Sequence, residues 1–304
     1  MLVLDAGNAL FKSTDIREDP TARARAELLL QQMEAQGYAA MAVGARDLML
    51  GVDFLKTRTK GTKLKLLSAN LTDAKGQLLF PASQVVTAGG LKVGVVGVSP
   101  PTGPALPPAP PVRGLPVLPA VSAEARRLRK EEHVDLVVVL AAVPYDATVR
   151  LAQDVEGVDF VVQSHEGRGE GMAQRQGLAT LIPPGERGRQ VAKLELSIDG
   201  PGPFVDLSES TRARESQRMV ENNIARVKAR LGTEKDAAQR EMLTQTLTSF
   251  EERRESLRKL ADAASAGKSR THLLSYLQLT ESVAADPAVQ QRVERIEPPG
   301  SAAH

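Results

Sequence analysis

A histidine and a carboxylate stand side by side at 158–166 (VDFVVQSHE), where an apolar strand pattern ends at Ser164. An imidazole beside a carboxylate, His165 with Glu166, is a donor pair for one divalent cation. Near the start, Asp5 and Asn8 follow a second strand pattern, 2–4 (LVL). Asparagine ligates a metal only through a neutral carbonyl oxygen, so Asn8 is a poor bridge between two cations. Asp5 and Asn8 are three apart, which on a strand sends their side chains to opposite faces. Asp5 is therefore expected to hydrogen-bond locally. A third group is Gly44-Ala45-Arg46-Asp47. Asp47 precedes the apolar run 48–55 and is expected to cap that helix. Arg46 cannot act as a general acid near neutral pH. Facing a dication at ~5 Å and an effective dielectric of ~20, it would be repelled by roughly 6–7 kcal/mol. It is a partner for Asp47, or for an anion. The side chains in these three groups that could meet a cation are Asn8, Asp47, His165 and Glu166. A lone histidine at a strand end is more often structural than a ligand.

The elements that must position these residues alternate between strand and helix, the pattern of a layered α/β domain. Strands are expected at 2–4, 40–43 and 64–67, and a hairpin at 84–87 and 92–98 around Gly89-Gly90. Buried strands follow at 135–140 (DLVVVL) and 160–162, and a β-rich edge at 178–182 and 191–198. Helices are expected at 22–33, ending near Gly37, and at 123–132 and 145–154. The Pro-rich stretch 100–119 reads as an extended loop with neither helix nor central strand. From 208 to 264 there is no proline and one glycine, Gly232. Val220, Ile224, Val227 and Leu231, then Leu243, Leu247, Phe250, Leu257 and Ala261, keep heptad spacing. This predicts two helices joined at Gly232 as an antiparallel hairpin, with Thr233 and Asp236 as a capping-box-like start. A strand or short helix at 272–283 and a final helix after Asp286-Pro287 complete the chain. The expected domains are 1–202, 208–264 and a tail at 265–304.

In order and spacing, Val3-Leu4-Asp5-Ala6-Gly7-Asn8, 38–48 (YAAMAVGARDL), Ser68-Ala69-Asn70, 158–166 and 183–196 resemble the 5'-nucleotidase branch of the calcineurin-like metallophosphoesterases. That family reads L-x-D-A-G-D, G-Y-D-A-x-x-x-G-N-H-E-F-D, S-A-N, L-S-H, G-H-x-H and G-x-x-G-x-x-x-G-x-L-x-L. The resemblance covers about 1–200. It implies a metallophosphoesterase-like sandwich of mixed sheets flanked by helices, to which the helical hairpin is added. It also implies two divalent metals, Mn or Zn, that activate water for phosphoester hydrolysis. Most ligand positions are changed. The bridging aspartate is Asn8, the asparagine ligand Ala45 and the catalytic histidine Arg46. The L-S-H histidine falls on Ala142, and the second histidine of G-H-x-H on Gly167; His165 is retained and is the one metal ligand that the resemblance carries over, with Asn8, Asp47 and Glu166 as the other candidates for a residual site. The family's first strand, with its D-x-H ligands, would lie upstream of Leu2, so the domain is expected to be N-terminally incomplete as written: either the chain lacks that strand or its start is truncated or mis-assigned. Asn70 and the Gly185–Gly188 turn are read as scaffold.

Composition narrows the rest. A net charge of +2 and 3% aromatic residues give no footprint for nucleic acid. Cysteine is absent, which excludes disulfides and thiolate chemistry. Twice as many arginines as lysines, with abundant Ala, Gly and Pro, point to a high-GC, bacterial genome. No apolar run reaches a membrane span, and no signal pattern is visible. As written the chain reads as cytoplasmic, although relatives are often exported and an upstream signal could precede it. The leading expectation is an eroded dimetal site with no cofactor, in a pseudoenzyme serving as a binding or scaffold module. One alternative is an active hydrolase using Asn8, Asp47, His165 and Glu166. The other is an interaction protein acting through a coiled coil at 208–264, by self-association or with a protein partner.

Overall fold

Residues 136–141 are apolar at every position, and the strand they form, β8 (Leu136–Ala141), is buried along its whole length. Such a run belongs inside a sheet covered on both faces. The computed structural model describes residues 1–13, 16, 19–101, 112–164, 172–185, 188–200, 202–263 and 270–298. Around β8 lie β5 (Ser83–Ala88), β6 (Leu91–Val98), β9 (Phe160–Gln163), β10 (Gln174–Gln176) and β11 (Ala179–Ile182), in the order β10-β11-β9-β8-β6-β5. The four inner strands are parallel, and β5 and β10 are antiparallel edges. β5 and β6 form the expected hairpin; Gly89 and Gly90, at φ +59° and +80°, supply the left-handed turn it needs. Helices α3 (Val117–Lys130) and α4 (Tyr145–Asp154) cover one face, and their Val121, Leu128 and Leu151 join Val137, Val139 and Val161 in one core.

A second sheet is wholly parallel, in the order β1 (Val3–Asp5), β2 (Tyr38–Ala42), β3 (Lys65–Leu67). Helices α1 (Ala22–Ala35) and α2 (Gly51–Arg58) pack on it through Ala26, Leu30, Phe54 and Leu55. The two sheets approach closely at Gly97, where a Cβ would lie 2.4 Å from the Leu67 carbonyl oxygen. The architecture is the mixed α/β arrangement of sheets and helices that the sequence predicts.

Three departures have physical reasons. The Pro-rich stretch is not all loop: Arg113–Gly114 (β7) pairs with Leu71–Thr72 (β4), and α3 begins at Val117, two turns before the expected Ala123. Pro119 falls in the helix's first turn, where its missing N–H costs no helical bond. Residues 102–111 lie outside the described residues. Next, β12 (Gln190–Ile198) does not extend the central sheet. It belongs to a separate sheet ordered β12-β14-β13, with β13 Val205–Asp206 and β14 Arg270–Gln278. Third, Gly232 lies inside α5 (Ser208–Thr233), and the start of α6 (Ala237–Ala263) is capped by Asp236, whose carboxylate accepts from Gln239 N at 2.8 Å.

By contacts the chain forms two compact units, Met1–Val191 with Tyr276–His304, and Ala192–Ser275. The edge read from composition lay about ten residues later, because sequence could not show β14 returning beside β12. Within the first unit α7 (Pro287–Ile296), capped by Asp286, docks on α1: Glu297 pairs with Arg25 and, at 3.5 Å, with Lys12.

Candidate functional site

The loop after β1 crosses the ends of β2 and β8. Gly7, at φ +88°, makes that crossing possible, since a Cβ there would sit 2.5 Å from the Ala42 carbonyl oxygen and 3.1 Å from the Ala142 Cβ. Ser164, which follows β9, closes the group: its hydroxyl donates to Gly7 O at 2.6 Å and its N–H to Ala141 O at 3.0 Å. Residues from the ends of two parallel strand pairs in separate sheets, β1 with β2 and β8 with β9, are thereby brought together, and the ends of parallel strands are where α/β sheets bind ligands.

Asn8 lies at the centre with φ +62°, a backbone state that asparagine tolerates better than most residues. Its Oδ1 accepts from Arg46 N–H at 3.0 Å, and its Nδ2 donates to Ser164 Oγ at 3.2 Å. The side chain lies against Gly44 so closely that a Cβ there would be 2.3 Å from Asn8 Oδ1. Gly44 is thus a spatial requirement of Asn8.

Asp47 has no solvent exposure. Its Oδ2 accepts from Asn8 N–H at 2.7 Å and Gly44 N–H at 2.8 Å, and its Oδ1 from Leu10 N–H at 3.0 Å. This corrects the expected helix cap: neither the 3-10 turn at Arg46–Leu50 nor α2 has a side-chain cap, and Asp47 instead joins the two loops. It also makes no pair with Arg46, whose guanidinium has no hydrogen-bond or ion-pair partner among the described residues. Burial pushes the Asp47 carboxyl up to about 7, against the pull of the three N–H donors; the charge of Asp5 adds to the rise. Asp5 bonds locally, as expected, accepting from Gly7 N–H at 2.7 Å, and burial raises its pKa too.

Of the residual-site residues, Asn8 and Asp47 are in direct contact. His165 and Glu166 lie outside the described residues, as does Gly167. Asn70 does more than steady its turn. Fully buried, it accepts from Ser99 N–H at 2.9 Å and donates to Ser99 O at 2.8 Å and Leu115 O at 3.1 Å. Ser99 in turn donates its hydroxyl to Val43 O, and so fastens the end of β6 to the end of β2. Sequence reading missed Ser99 and Ser164. The available signal was a serine directly after each buried strand.

Among the described residues no three His, Asp or Glu side chains converge as a metal would require. The carboxylates that are present accept from backbone amides: Asp47 from three, Asp5 from one.

No family model matches the sequence, and no curated protein does. Solved structures do match. A Thermus thermophilus sulfate thiohydrolase, SoxB, superposes with TM-score 0.56 at 20% identity, over 64% of this chain and 35% of its own. A Thermus thermophilus 5'-nucleotidase precursor gives 0.52 at 26% identity, over 65% and 42%. The fold is that of the 5'-nucleotidase branch of the calcineurin-like metallophosphoesterases. The calcineurin-like phosphoesterase YfkN of Bacillus subtilis is similar too, with TM-score 0.51 and 17% identity over 64% and 70%. This metallophosphoesterase-like chain spans about a third of the first structure's length and about two fifths of the second's. No described helix is long and apolar enough to cross a membrane.

Proposed function

We propose that this chain is a 5'-nucleotidase-type phosphoesterase domain whose dimetal centre has eroded, and that it acts as a binding or scaffold module. The observation that carries the reading is the engagement of Asn8. At the position that would bridge two cations stands a neutral amide whose oxygen takes the Arg46 N–H and whose nitrogen faces Ser164. The neighbouring ligand positions are Ala45, Arg46 and Ala142, none of which can donate to a metal. Asp47 has both oxygens on backbone amides, and turning it toward a cation would orphan buried N–H groups. The described donors do not fit a pair of divalent cations.

The test is elemental analysis of the purified chain after exposure to Mn²⁺ and Zn²⁺, with a screen of phosphomonoesters and diesters. The expected result is no stoichiometric metal and no metal-dependent hydrolysis. About two metals per chain, with hydrolysis abolished by His165→Ala, would overturn the reading in favour of a rebuilt site.

A further inference from the structure

The C-terminal helix α7 is held to α1 mainly by the tips of polar side chains. None of its ten residues is buried. Val289, Arg292 and Ile296, spaced to share one helix face, are half-buried, and Val293 is 37% exposed. Arg292 donates to Gln31 Oε1, and Glu297 pairs with Arg25 and, at 3.5 Å, with Lys12. A helix of this length is marginal by itself. Its start is capped, since Asp286 accepts from Ala288 and Val289 N–H at 2.8 and 3.1 Å. Its other end carries Glu297 at the C-cap, where a carboxylate meets the negative pole of the helix. Arg25 and Lys12 offset that charge only while α7 is docked. Helix and docking therefore stand or fall together.

Beneath α7 lies a leucine that serves no core. Ala22, Ala26, Leu30 and Met33 turn the core face of α1 toward the sheet. Leu28 stands about half a turn away from Ala26 and Leu30. It belongs to neither core cluster, yet it is only 7% exposed. Arg25 and Gln31, which bond α7, stand three positions to either side of it, so Leu28 is on the face that α7 covers. The segment leading to α7 has no such cover. Residues 280–286 are exposed throughout, and the hydrogen bonds of Thr280 with Ser282 and Val283 stay within the segment.

We propose that α7 is a releasable strap. It leaves and returns as one piece on this exposed segment, while the rest of the first unit stays folded. Its leaving uncovers Leu28 on α1 and frees Lys12, which lies on the loop that carries Asn8. Glu297 thus joins the end of the chain to the loop that forms the strand-end site. Local opening belongs to elements with few buried apolar contacts, and α7 is such an element. The proposal does not rest on the fate of the metal site.

The chain has no cysteine, so Leu28→Cys carries a single thiol whose labelling rate reads the opening of α7 in the full chain. Ala26→Cys, fully buried on the core face of the same helix, reads global unfolding. Labelling at position 28 is expected to be more than about tenfold faster than at position 26. Adding Glu297→Arg sets like charges beside Arg25 and Lys12 and should speed labelling at position 28 by roughly a further tenfold, with position 26 unchanged. Glu294→Arg makes the same change of charge where the side chain meets only Gln290 of its own helix, and should not speed it. Hydrogen exchange of the unsubstituted chain gives a second reading: α7 amides should exchange through openings that leave β8 protected. Equal labelling at positions 26 and 28, indifference to Glu297→Arg, or α7 amides as protected as those of β8 would overturn the proposal.

Discussion

Removing Asp47 asks whether one buried carboxylate sets the loops at the strand ends. Asp47→Ala takes the acceptor from the N–H groups of Asn8, Leu10 and Gly44. Each orphaned buried donor costs about 1–3 kcal/mol. Relief from burying a charge beside Asp5 offsets part of this, and we expect a net loss of about 3–5 kcal/mol. Asp47→Asn keeps the oxygen shared by Asn8 and Gly44 and orphans only Leu10, for about 1–3 kcal/mol. Tryptophan is absent, so urea unfolding is followed by far-UV circular dichroism. At a slope of about 3 kcal/mol per molar, the midpoint falls by about 1–1.7 M for alanine and about 0.3–1 M for asparagine. The pH dependence supplies a second reading. The folded carboxyl sits at about 7, above its unfolded value, so the native state binds this proton more tightly. Its stabilising contribution is complete below about pH 4 and is lost as pH rises through about 7, by up to ~1.4 kcal/mol per unit. Asp47→Asn should lose that slope. A midpoint shift under about 0.2 M for Asp47→Ala, or a slope that persists in Asp47→Asn, would refute this account.

Asn8→Asp loses the Nδ2 donor to Ser164 and sets a third carboxylate near Asp5 and Asp47; stability measured in urea should fall by about 1–3 kcal/mol at pH 8 and recover toward pH 5. Gly44→Ala drives a methyl into Asn8 and should cost more than about 2 kcal/mol. Combined with Asn8→Gly, which opens that space, the loss should be well below the sum of the two singles. Asn70→Ala removes the bonds to Ser99 and Leu115 and should cost about 2–4 kcal/mol, read as a lowered urea midpoint with unchanged slope.

The elements were legible wherever their signal is local. The run at β8, the Gly-Gly turn of the β5–β6 hairpin, the span of α4 and the heptads of α5 and α6 are all written in adjacent residues. Asp47 shows where that reading stops. Gly44-x-x-Asp47 has the spacing of a helix start, but two of its three partners are 39 and 37 residues away, on the loop after β1. A long-range acceptor and a cap look alike until the chain is folded. β12 misled for a related reason: its strand pattern is genuine, but its neighbour β14 comes after both long helices. Ser99 and Ser164 carry no distinctive spacing, and only the convergence of strand ends gives them partners.

The chain leaves the first unit and re-enters it at neighbouring points. Leu279 N–H donates to Arg189 O at 2.7 Å, and the Gln190 and Gln278 side chains meet at 3.1 Å. Whatever is spliced between such points can be exchanged or shortened as a cassette, because both ends of the cut are already held together. The same arrangement sets a timetable for the ribosome. On α1, Arg25 and Gln31 find partners 272 and 261 residues downstream, on and beside α7. At about 5–20 residues per second, that face of the newborn helix stays bare for roughly 15 to 50 seconds. For that interval its neighbours are the exit tunnel and whatever waits outside it.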